Sequence, residues 1–113
     1  MSWIRPPGPV GSHLTIGLLG GSFNPAHDGH RYVSEVARKA LKLDAVWWLV
    51  TPGNPLKRSS ELADLLTRMA FAPKVAGRGA IITDIESHLG TRFTVDTLRA
   101  LRRRFPRTRF VWL

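Results

Sequence analysis

LLGGSFNPAHDGH, residues 18–30, is the stretch that decides the fold of this 113-residue chain. It begins at the end of an apolar run that predicts a β-strand, passes through Gly20 and Gly21, and opens a helical pattern at His27. Glycine lets the backbone turn tightly and approach a ligand closely, because it has no Cβ. A helix N-terminus offers free N–H groups and partial positive charge. A strand, a glycine turn and a helix start in this order therefore predict a loop that binds phosphate.

Two histidines occupy the place where other phosphate-binding loops have a lysine. The stretch lacks the Gly-Lys-Ser/Thr ending of a P-loop, and Gly17, Gly20 and Gly21 do not match the Gly-x-Gly-x-x-Gly spacing. His27 and His30 are three residues apart, so on a helix their side chains share one face. An imidazole donates a hydrogen bond when neutral and adds positive charge when protonated. The pair therefore suits a phosphoryl group, whose negative charge shifts during a reaction.

Residues 20–30, GGSFNPAHDGH, resemble the G-G-[ST]-F-[DN]-P-x-H-x-G-H signature of the nucleotidylyltransferase superfamily, and most closely that of bacterial nicotinate-nucleotide adenylyltransferases. The resemblance implies adenylyl transfer from ATP to nicotinate mononucleotide, which gives deamido-NAD and pyrophosphate in NAD biosynthesis. It implies that His27 and His30 are the catalytic residues and bind the triphosphate. The other residues implied in binding the ATP phosphates are Gly20, Gly21, Ser22 and Phe23. Mg²⁺ is expected together with ATP, held mainly by phosphates and water, with no metal site made by protein side chains.

Two later segments resemble substrate-binding parts of the same enzymes. Residues 51–58, TPGNPLKR, resemble a proline-rich loop ending in a basic residue, which implies that Lys57 contacts substrate phosphate. Residues 91–98, TRFTVDTL, resemble a helix start that receives the nicotinate carboxylate, which implies a binding role for Thr94. The structural alternatives are a solvated connector for residues 51–58 and a helix-capping role for Thr94.

The composition is that of one globular domain without disulfides. The chain has no cysteine, so neither a disulfide nor a thiolate metal site can form. No apolar stretch reaches the ~18 residues of a membrane span, and residues 1–13 lack the apolar core of a signal peptide. We therefore expect a cytoplasmic protein that is not associated with a membrane. Residues 1–13 are predicted to form a flexible leader, and residues 14–113 to belong to the nucleotidylyltransferase domain.

The order of the apolar runs predicts an α/β fold. The predicted elements are strands at 14–20, 45–50, 80–85 and 109–113, and helices at 29–42, from 59 or 60, and from 94. This alternation predicts a doubly wound parallel sheet of the Rossmann-like type, with ligands bound beyond the carboxyl ends of the strands. Residues 20–30, 51–58 and 86–94 would meet at that edge. Pro73 predicts a break after the second helix.

Periodicity also predicts which side chains are buried. Apolar positions that recur three or four residues apart form one stripe on a helix. Those expected to face the core are Val33, Val36, Ala37, Ala40 and Leu41 in the first helix, Leu62, Leu65, Leu66 and Met69 in the second, and Val95, Leu98, Leu101 and Phe105 in the third. Trp47 and Trp48 lie on different faces of the second strand and are expected in the core.

Much of the net charge of +9 comes from an arginine cluster, which we define as Arg99, Arg102, Arg103, Arg104, Arg107 and Arg109. One interpretation is the solvated face of the third helix. The other is an RNA-binding surface on a module that is not an enzyme, but no aromatic residues are interleaved on that face to stack on bases, which argues against nucleic acid. Among enzymes, the alternatives are a phosphopantetheine adenylyltransferase or a cytidylyltransferase acting on a phosphorylated alcohol.

The resemblance covers residues 14–113 and extends only to the N-terminal portion of these enzymes. The relatives continue after the fourth strand with a Gly-x-Asp segment and an I-S-[ST]-T-x-[IV]-R motif, which hold adenine and a second face of the triphosphate, and neither is present here. A sheet truncated after about its fourth strand would leave apolar surface uncovered. We therefore expect weak or absent turnover from these 113 residues alone, together with self-association or domain swapping.

Overall fold

A sheet and five helices make up the part of the chain that the structure describes. The structure is a computed structural model and describes residues 6–52, 59–91 and 93–113. Its strands are β1 (Thr15–Gly21), β2 (Ala45–Val50), β3 (Ala80–Thr83) and β4 (Arg109–Trp112). Its helices are α1 (Asp28–Ala40), α2 (Ser59–Phe71), α3 (Pro73–Ala76), α4 (Ile85–Leu89) and α5 (Thr94–Arg104). Within these ranges, no helix has both the length and the apolar character needed to cross a bilayer.

The four strands form one parallel sheet in the order β3-β2-β1-β4. Leu18 of β1 lies opposite Trp47 of β2 on one side and opposite Trp112 of β4 on the other. β2 also pairs in parallel with β3. The predicted parallel α/β sheet is confirmed, and its strands all end at the same edge. The loops after β1, β2 and β3 therefore leave the sheet together, which is where such folds bind ligands.

The core has one apolar layer on each face of the sheet, because neighbouring residues of a strand point to opposite faces. On one face, Trp48 packs in a cluster with residues of α2 and α3, and Ala37 of α1 packs against it. On the other face, Trp47 packs with residues of α4 and α5. Both tryptophans are fully buried, as predicted. Helices α1, α2 and α3 thus cover one face, and α4 and α5 cover the other.

Two short helices lie where the sequence predicts none. The predicted break is confirmed, since α2 ends at Phe71 and Pro73 begins α3, where proline fits because the first turn needs no N–H partner. β3 ends at Thr83, two residues earlier than predicted, and α4 follows. The Thr83 hydroxyl accepts a hydrogen bond from Ile85 N–H at 3.1 Å, which supports the change from strand to helix. Helices of four or five residues are too short to show a helical period in sequence.

Part of each predicted apolar stripe is exposed. The positions where the burial prediction is wrong are Val33, Val36, Ala40, Leu41, Leu66 and Val95. In α1 the buried residue is Ser34, whose hydroxyl accepts a hydrogen bond from Trp48 Nε1 at 3.1 Å. Periodicity identifies an apolar stripe, but it does not identify which edge of the stripe a neighbouring element covers.

Residues 6–13 of the predicted leader contact the rest of the fold. Val10 packs against the apolar layer that contains Trp47. Gly11 N–H donates a hydrogen bond to Thr108 Oγ1 at 2.8 Å, and the Thr108 hydroxyl lies 3.3 Å from the Gly11 carbonyl oxygen, to which it donates. These contacts hold the segment beside the start of β4. The division of the chain at residue 13 stays a prediction.

Candidate functional site

The loop after β1 turns at Phe23 and not at the glycines. Gly20 and Gly21 are the last two residues of β1, and neither has a positive φ. A Cβ on Gly20 would lie 3.1 Å from the ring of Trp112, so this glycine makes room for a packed side chain. Phe23 has a left-handed φ of 51°, which is uncommon for a residue with a Cβ. The prediction that the glycines make the turn is wrong, because extended backbone continues through both.

His27 and His30 cap the N-terminus of α1 with their own rings. His27 is the N-cap residue, and its Nδ1 accepts a hydrogen bond from Gly29 N–H at 3.0 Å. His30 Nδ1 accepts one from the backbone N–H of His27 at 3.1 Å. The two bonds form a reciprocal capping box. The Gly29 N–H that a bare helix end would offer to a phosphate is therefore bonded to a histidine.

The capping bonds decide which ring nitrogen is left for a ligand. Because Nδ1 of each ring accepts a hydrogen bond, each neutral ring has its proton on Nε2. The ring centroids of His27 and His30 are 4.0 Å apart, so the predicted shared face is confirmed. Burial lowers the pKa of His30 from its usual value, and repulsion from His27 lowers it further. The capping bonds therefore leave Nε2 of each ring for a ligand, and that of His30 is a neutral donor at neutral pH.

Aromatic rings connect the histidine pair to the core. The ring of Phe23 lies 4.6 Å from that of His30 and 5.1 Å from that of Trp48, with centroids as the reference points. Phe23 and Trp48 are nearly parallel, at 9°, which is a stacked arrangement. The Trp48 indole is in turn fixed by its hydrogen bond to Ser34. The position of His30 thus depends on a row of packed rings.

The residues predicted to bind ATP phosphates differ in their exposure. Gly20 and Ser22 are exposed, and Gly21 is half-buried. Phe23 is buried with its backbone, with 1% of the residue exposed, so it offers a ligand almost no surface. A phosphate at this edge would therefore contact backbone groups and the two imidazoles, and not the phenyl ring.

The loop after β2 begins beside the loop after β1. Thr51 N–H donates a hydrogen bond to the Gly21 carbonyl at 2.9 Å, which extends the pairing of β1 and β2 by one residue. Lys57 and Arg58 lie outside the described residues. The contact of Lys57 with substrate phosphate stays a prediction.

The start of α5 is confirmed at Thr94, but this residue does not cap the helix. Phe93 is the N-cap and makes no side-chain capping bond, and Thr94 is the first helical residue. The alternative role of Thr94 as the helix cap is wrong. The residue with the extended backbone that an N-cap requires is Phe93, one position earlier. The Thr94 side chain is exposed at the carboxyl edge, and its role in substrate binding stays a prediction.

A buried chain of hydrogen bonds ties α4 to α5. The Thr97 hydroxyl donates to Glu86 Oε2 at 2.8 Å, and the hydroxyls of Thr91 and Thr97 are 2.9 Å apart. Since the single proton of Thr97 goes to Glu86, Thr91 is the donor in the second bond. Burial raises the pKa of Glu86, while the hydrogen bond from Thr97 opposes that rise. These bonds hold the loop that precedes Thr94.

Arg68 of α2 is a residue of this edge that the sequence pattern did not single out. Its side chain is 6% exposed. Nη1 donates hydrogen bonds to the Ser22 carbonyl at 2.7 Å and to the Thr51 carbonyl at 2.9 Å, and Nε donates to Asp64 Oδ2 at 2.8 Å. A signal was present in the sequence, because Arg68 stands three residues after the buried Leu65 in the apolar stripe of α2.

The arginine cluster is exposed along α5, the turn that follows it and the first residue of β4. Its aromatic neighbours face away from solvent, since Phe105 is half-buried and Phe110 is buried in the layer beneath α5. Neither of these two rings is fully exposed for a base to stack on. The choice between a solvated helix face and an RNA-binding surface stays a prediction.

Residues 18–99 match the family described as cytidylyltransferase-like. Relatives named probable nicotinate-nucleotide adenylyltransferase include those of Parvibaculum lavamentivorans (57% identical), Erythrobacter litoralis (60%) and Gluconobacter oxydans (56%), each over 101 residues. The matched region is 88% of this chain, but 50%, 46% and 52% of these relatives. The chain therefore spans about half the length of the curated relatives it matches.

Two solved structures share the fold. They are those of Plasmodium falciparum nicotinic acid mononucleotide adenylyltransferase complexed with NaAD, with a TM-score of 0.61, and complexed with APC, with a TM-score of 0.60. Each is 20% identical in sequence and covers 88% of this chain, which in turn covers 51% and 50% of those chains. At this identity the similarity supports the predicted Rossmann-like nucleotidylyltransferase fold and no more.

Proposed function

The chain belongs to the cytidylyltransferase-like family, and on this basis we propose that it takes part in adenylyl transfer from ATP to nicotinate mononucleotide. The products are deamido-NAD and pyrophosphate, and the reaction is a step of NAD biosynthesis in the cytoplasm, where ATP is available. Relatives that are 54–60% identical and named for this reaction support the proposal. The single observation that favours it most is the His27–His30 pair, whose Nε2 positions remain after both Nδ1 atoms are used in capping.

The two imidazoles would bind phosphate oxygens of ATP through Nε2. In the reaction, a 5′-phosphate oxygen of nicotinate mononucleotide attacks the α-phosphorus, and the bond from that phosphorus to the bridging oxygen of pyrophosphate breaks. The attacking oxygen is already anionic, so no general base is needed. Catalysis then consists of alignment and of stabilising the charge on the reacting phosphoryl group.

Other parts of the carboxyl edge would complete the site. The backbone of Gly20, Gly21 and Ser22 lies where the phosphates would approach. We propose that Lys57 contacts the phosphate of nicotinate mononucleotide and that the start of α5 at Thr94 receives its carboxylate, since a helix N-terminus favours an anion.

Mg²⁺ would arrive with the triphosphate. In the part of the chain that the structure describes, no three His, Asp or Glu side chains come together to hold a metal ion. We propose that phosphate oxygens and water hold the ion, which suits its preference for retaining water ligands.

The test removes the ligand-facing nitrogens and keeps the cap. His27→Asn retains a good N-cap acceptor, and His30→Gln retains the reciprocal bond of a capping box. Turnover is measured as pyrophosphate release in a hybrid enzyme, in which this chain replaces the residues it matches in the Parvibaculum lavamentivorans relative. Each variant should lower turnover by about 10²–10³ while the free energy of unfolding changes by less than about 1 kcal/mol.

Asp28→Asn is the matched control, because Asp28 is exposed in the same helical turn. It should leave turnover close to that of the parent. Full activity in both histidine variants would contradict the proposed role. A panel of nicotinate mononucleotide, phosphopantetheine and phosphocholine tests the substrate, and a preference for either of the last two would favour the alternative transferases.

We also propose that the 113-residue chain self-associates and has little turnover by itself. Four apolar side chains of α1 and its end are between 48% and 62% exposed and lie within three turns of one another. They are Tyr32, Val33, Val36 and Leu41. Together they form an apolar patch, which we call the α1 patch. Contiguous apolar surface of this kind favours association.

A further inference from the structure

Arg68 connects the two loops that leave the central strands of the sheet. Its Nη1 has two protons, and the two carbonyl oxygens it contacts belong to Ser22, just after β1, and to Thr51, just after β2. Ser22 and Thr51 are 29 residues apart in sequence, so this contact is made only in the folded chain. Its distances of 2.7 and 2.9 Å are those of strong, charge-assisted bonds.

Because the Arg68 side chain is buried, leaving its donors unpaired would cost more free energy than it would in a surface ion pair. The Arg68 side chain is 6% exposed, whereas its acidic partner Asp64 is 48% exposed. A charged group with so little access to water must have its donors satisfied by the protein. A planar guanidinium can hold two carbonyls from one nitrogen and a carboxylate from another, an arrangement that an ammonium group does not reproduce.

The bond to Ser22 also orients the next peptide group. In a trans peptide, C=O and N–H point in opposite directions. With the Ser22 carbonyl directed toward Arg68, the Phe23 N–H is directed away from α2. Thr51 precedes Pro52, which has no N–H, so the second bond holds the Thr51 carbonyl in place without orienting a donor.

We propose that Arg68 is a positioning residue for the phosphate site: its guanidinium holds the carbonyls of Ser22 and Thr51 and so fixes the backbone where the two loops begin, beside the proposed triphosphate site. The proposal rests on the function proposed above. Arg68 contacts no substrate, and it acts through the backbone of both loops. Its loss frees the Ser22–Phe23 peptide to rotate and leaves the Thr51 carbonyl without this donor.

The experiment compares Arg68→Lys with Asp64→Asn in the 113-residue chain, with inorganic tripolyphosphate as the probe. Arg68→Lys retains the positive charge and loses the planar fork, whereas Asp64→Asn removes the ion pair and leaves both carbonyl bonds. Calorimetry should show affinity reduced about tenfold or more in Arg68→Lys and unchanged in Asp64→Asn. Amide NMR signals of Phe23 and Thr51 should shift in the first variant and keep their positions in the second.

Each outcome decides the proposal. If Arg68→Lys is less stable but binds tripolyphosphate like the parent, Arg68 is only structural and the proposal is overturned. If the parent chain itself does not bind tripolyphosphate, the proposed function fails and the positioning role fails with it. Should Arg68→Lys not fold, the parent supplies the answer: its Arg68 guanidinium signal should shift when tripolyphosphate is added, and an unchanged signal overturns the proposal.

Discussion

At the scale of single residues, His27 and His30 each use one ring for two purposes. Nδ1 completes the cap of α1, and Nε2 is left for a ligand. The three-residue spacing was enough to predict that the rings share a face. It was not enough to predict the capping bonds, because these depend on the extended backbone of His27, with φ −147° and ψ 176°. A local motif identifies the side chains, and the surrounding backbone decides which of their atoms are used.

Gly29 is required by the ring of His27. A Cβ at this position would lie 2.8 Å from His27 Cε1 and 2.9 Å from Nδ1. Gly29→Ala should therefore displace the ring and weaken tripolyphosphate binding about tenfold, even though alanine favours a helix by up to about 1 kcal/mol. Calorimetry measures the affinity. Asp28→Ala, in the same turn, should not weaken binding, and equal affinities for the parent and Gly29→Ala would contradict the prediction.

His30 should make stability depend on pH in one direction. Its folded-state pKa is lowered, by burial first and by His27 second, so protonation favours the unfolded chain. The stabilisation is complete above the unfolded pKa of about 6.5 and is lost as pH falls through the lower, folded pKa. Urea unfolding of the parent and of His30→Gln from about pH 7.5 to about pH 5 should show a larger loss in the parent. Parallel curves would rule out this linkage.

At the scale of elements, the helices show the limit of periodicity. The start of α5 and the interruption at Pro73 follow from local signals and are confirmed. The buried side of α2 does not follow from them: Leu65 and Arg68 face inward while Leu66 is 57% exposed. A hydropathy pattern predicts that an arginine faces solvent, even where the arginine stands within an apolar stripe. Only the tertiary contact, two carbonyls within reach, makes its burial favourable.

Glu86 links α4 and α5, and its ionisation should lower the stability of the fold, because burial penalises the charged form. Because burial raises the folded-state pKa of Glu86, its contribution to stability is complete below the unfolded pKa of about 4.3 and is lost as pH rises through the folded value. Glu86→Gln is neutral throughout and can still accept the bond from Thr97. The stability of the parent relative to Glu86→Gln should therefore fall between about pH 4 and about pH 7. A constant difference across that range, measured by chemical unfolding, would refute the assignment.

The α1 patch provides the test of self-association. Val36→Glu introduces a charge in the middle of the patch, where desolvating it would oppose burial. Sedimentation should show a dissociation constant raised about tenfold or more relative to the parent. Lys39→Glu, an exposed change on the same helix, is the control and should have a smaller effect. A parent chain that remains monomeric at high concentration would show that the patch does not drive association.

At the scale of the whole molecule, the two tryptophans of β2 lie in different layers of the core, one on each face of the sheet. A parallel sheet could be predicted because each apolar run is followed by a helix before the next run. The strand order β3-β2-β1-β4 could not, because periodicity contains no information on which strands are neighbours. Which helices cover which face also depends on the strand order, because the chain crosses from β3 at one side of the sheet to β4 at the other.

The same tryptophans should differ in their response to substitution. Trp48 Nε1 donates to the buried Ser34 hydroxyl, whereas Trp47 Nε1 is buried with no acceptor among the described residues. Trp48→Phe loses a hydrogen bond and leaves Ser34 without its donor, while Trp47→Phe removes an unsatisfied N–H. Thermal and urea unfolding should show that Trp48→Phe costs about 1–3 kcal/mol more than Trp47→Phe. Equal costs, or a larger cost at Trp47, would contradict this account.

The central place of β1 has a consequence for local opening. β1 is hydrogen-bonded along both sides, to β2 and to β4, and the loop with both histidines follows it directly. Amides in such a strand exchange with deuterium only when much of the domain opens, whereas edge strands fray at lower cost. The histidine loop is thus attached to one of the two interior strands of the described sheet, and fraying at β3 leaves its point of attachment closed.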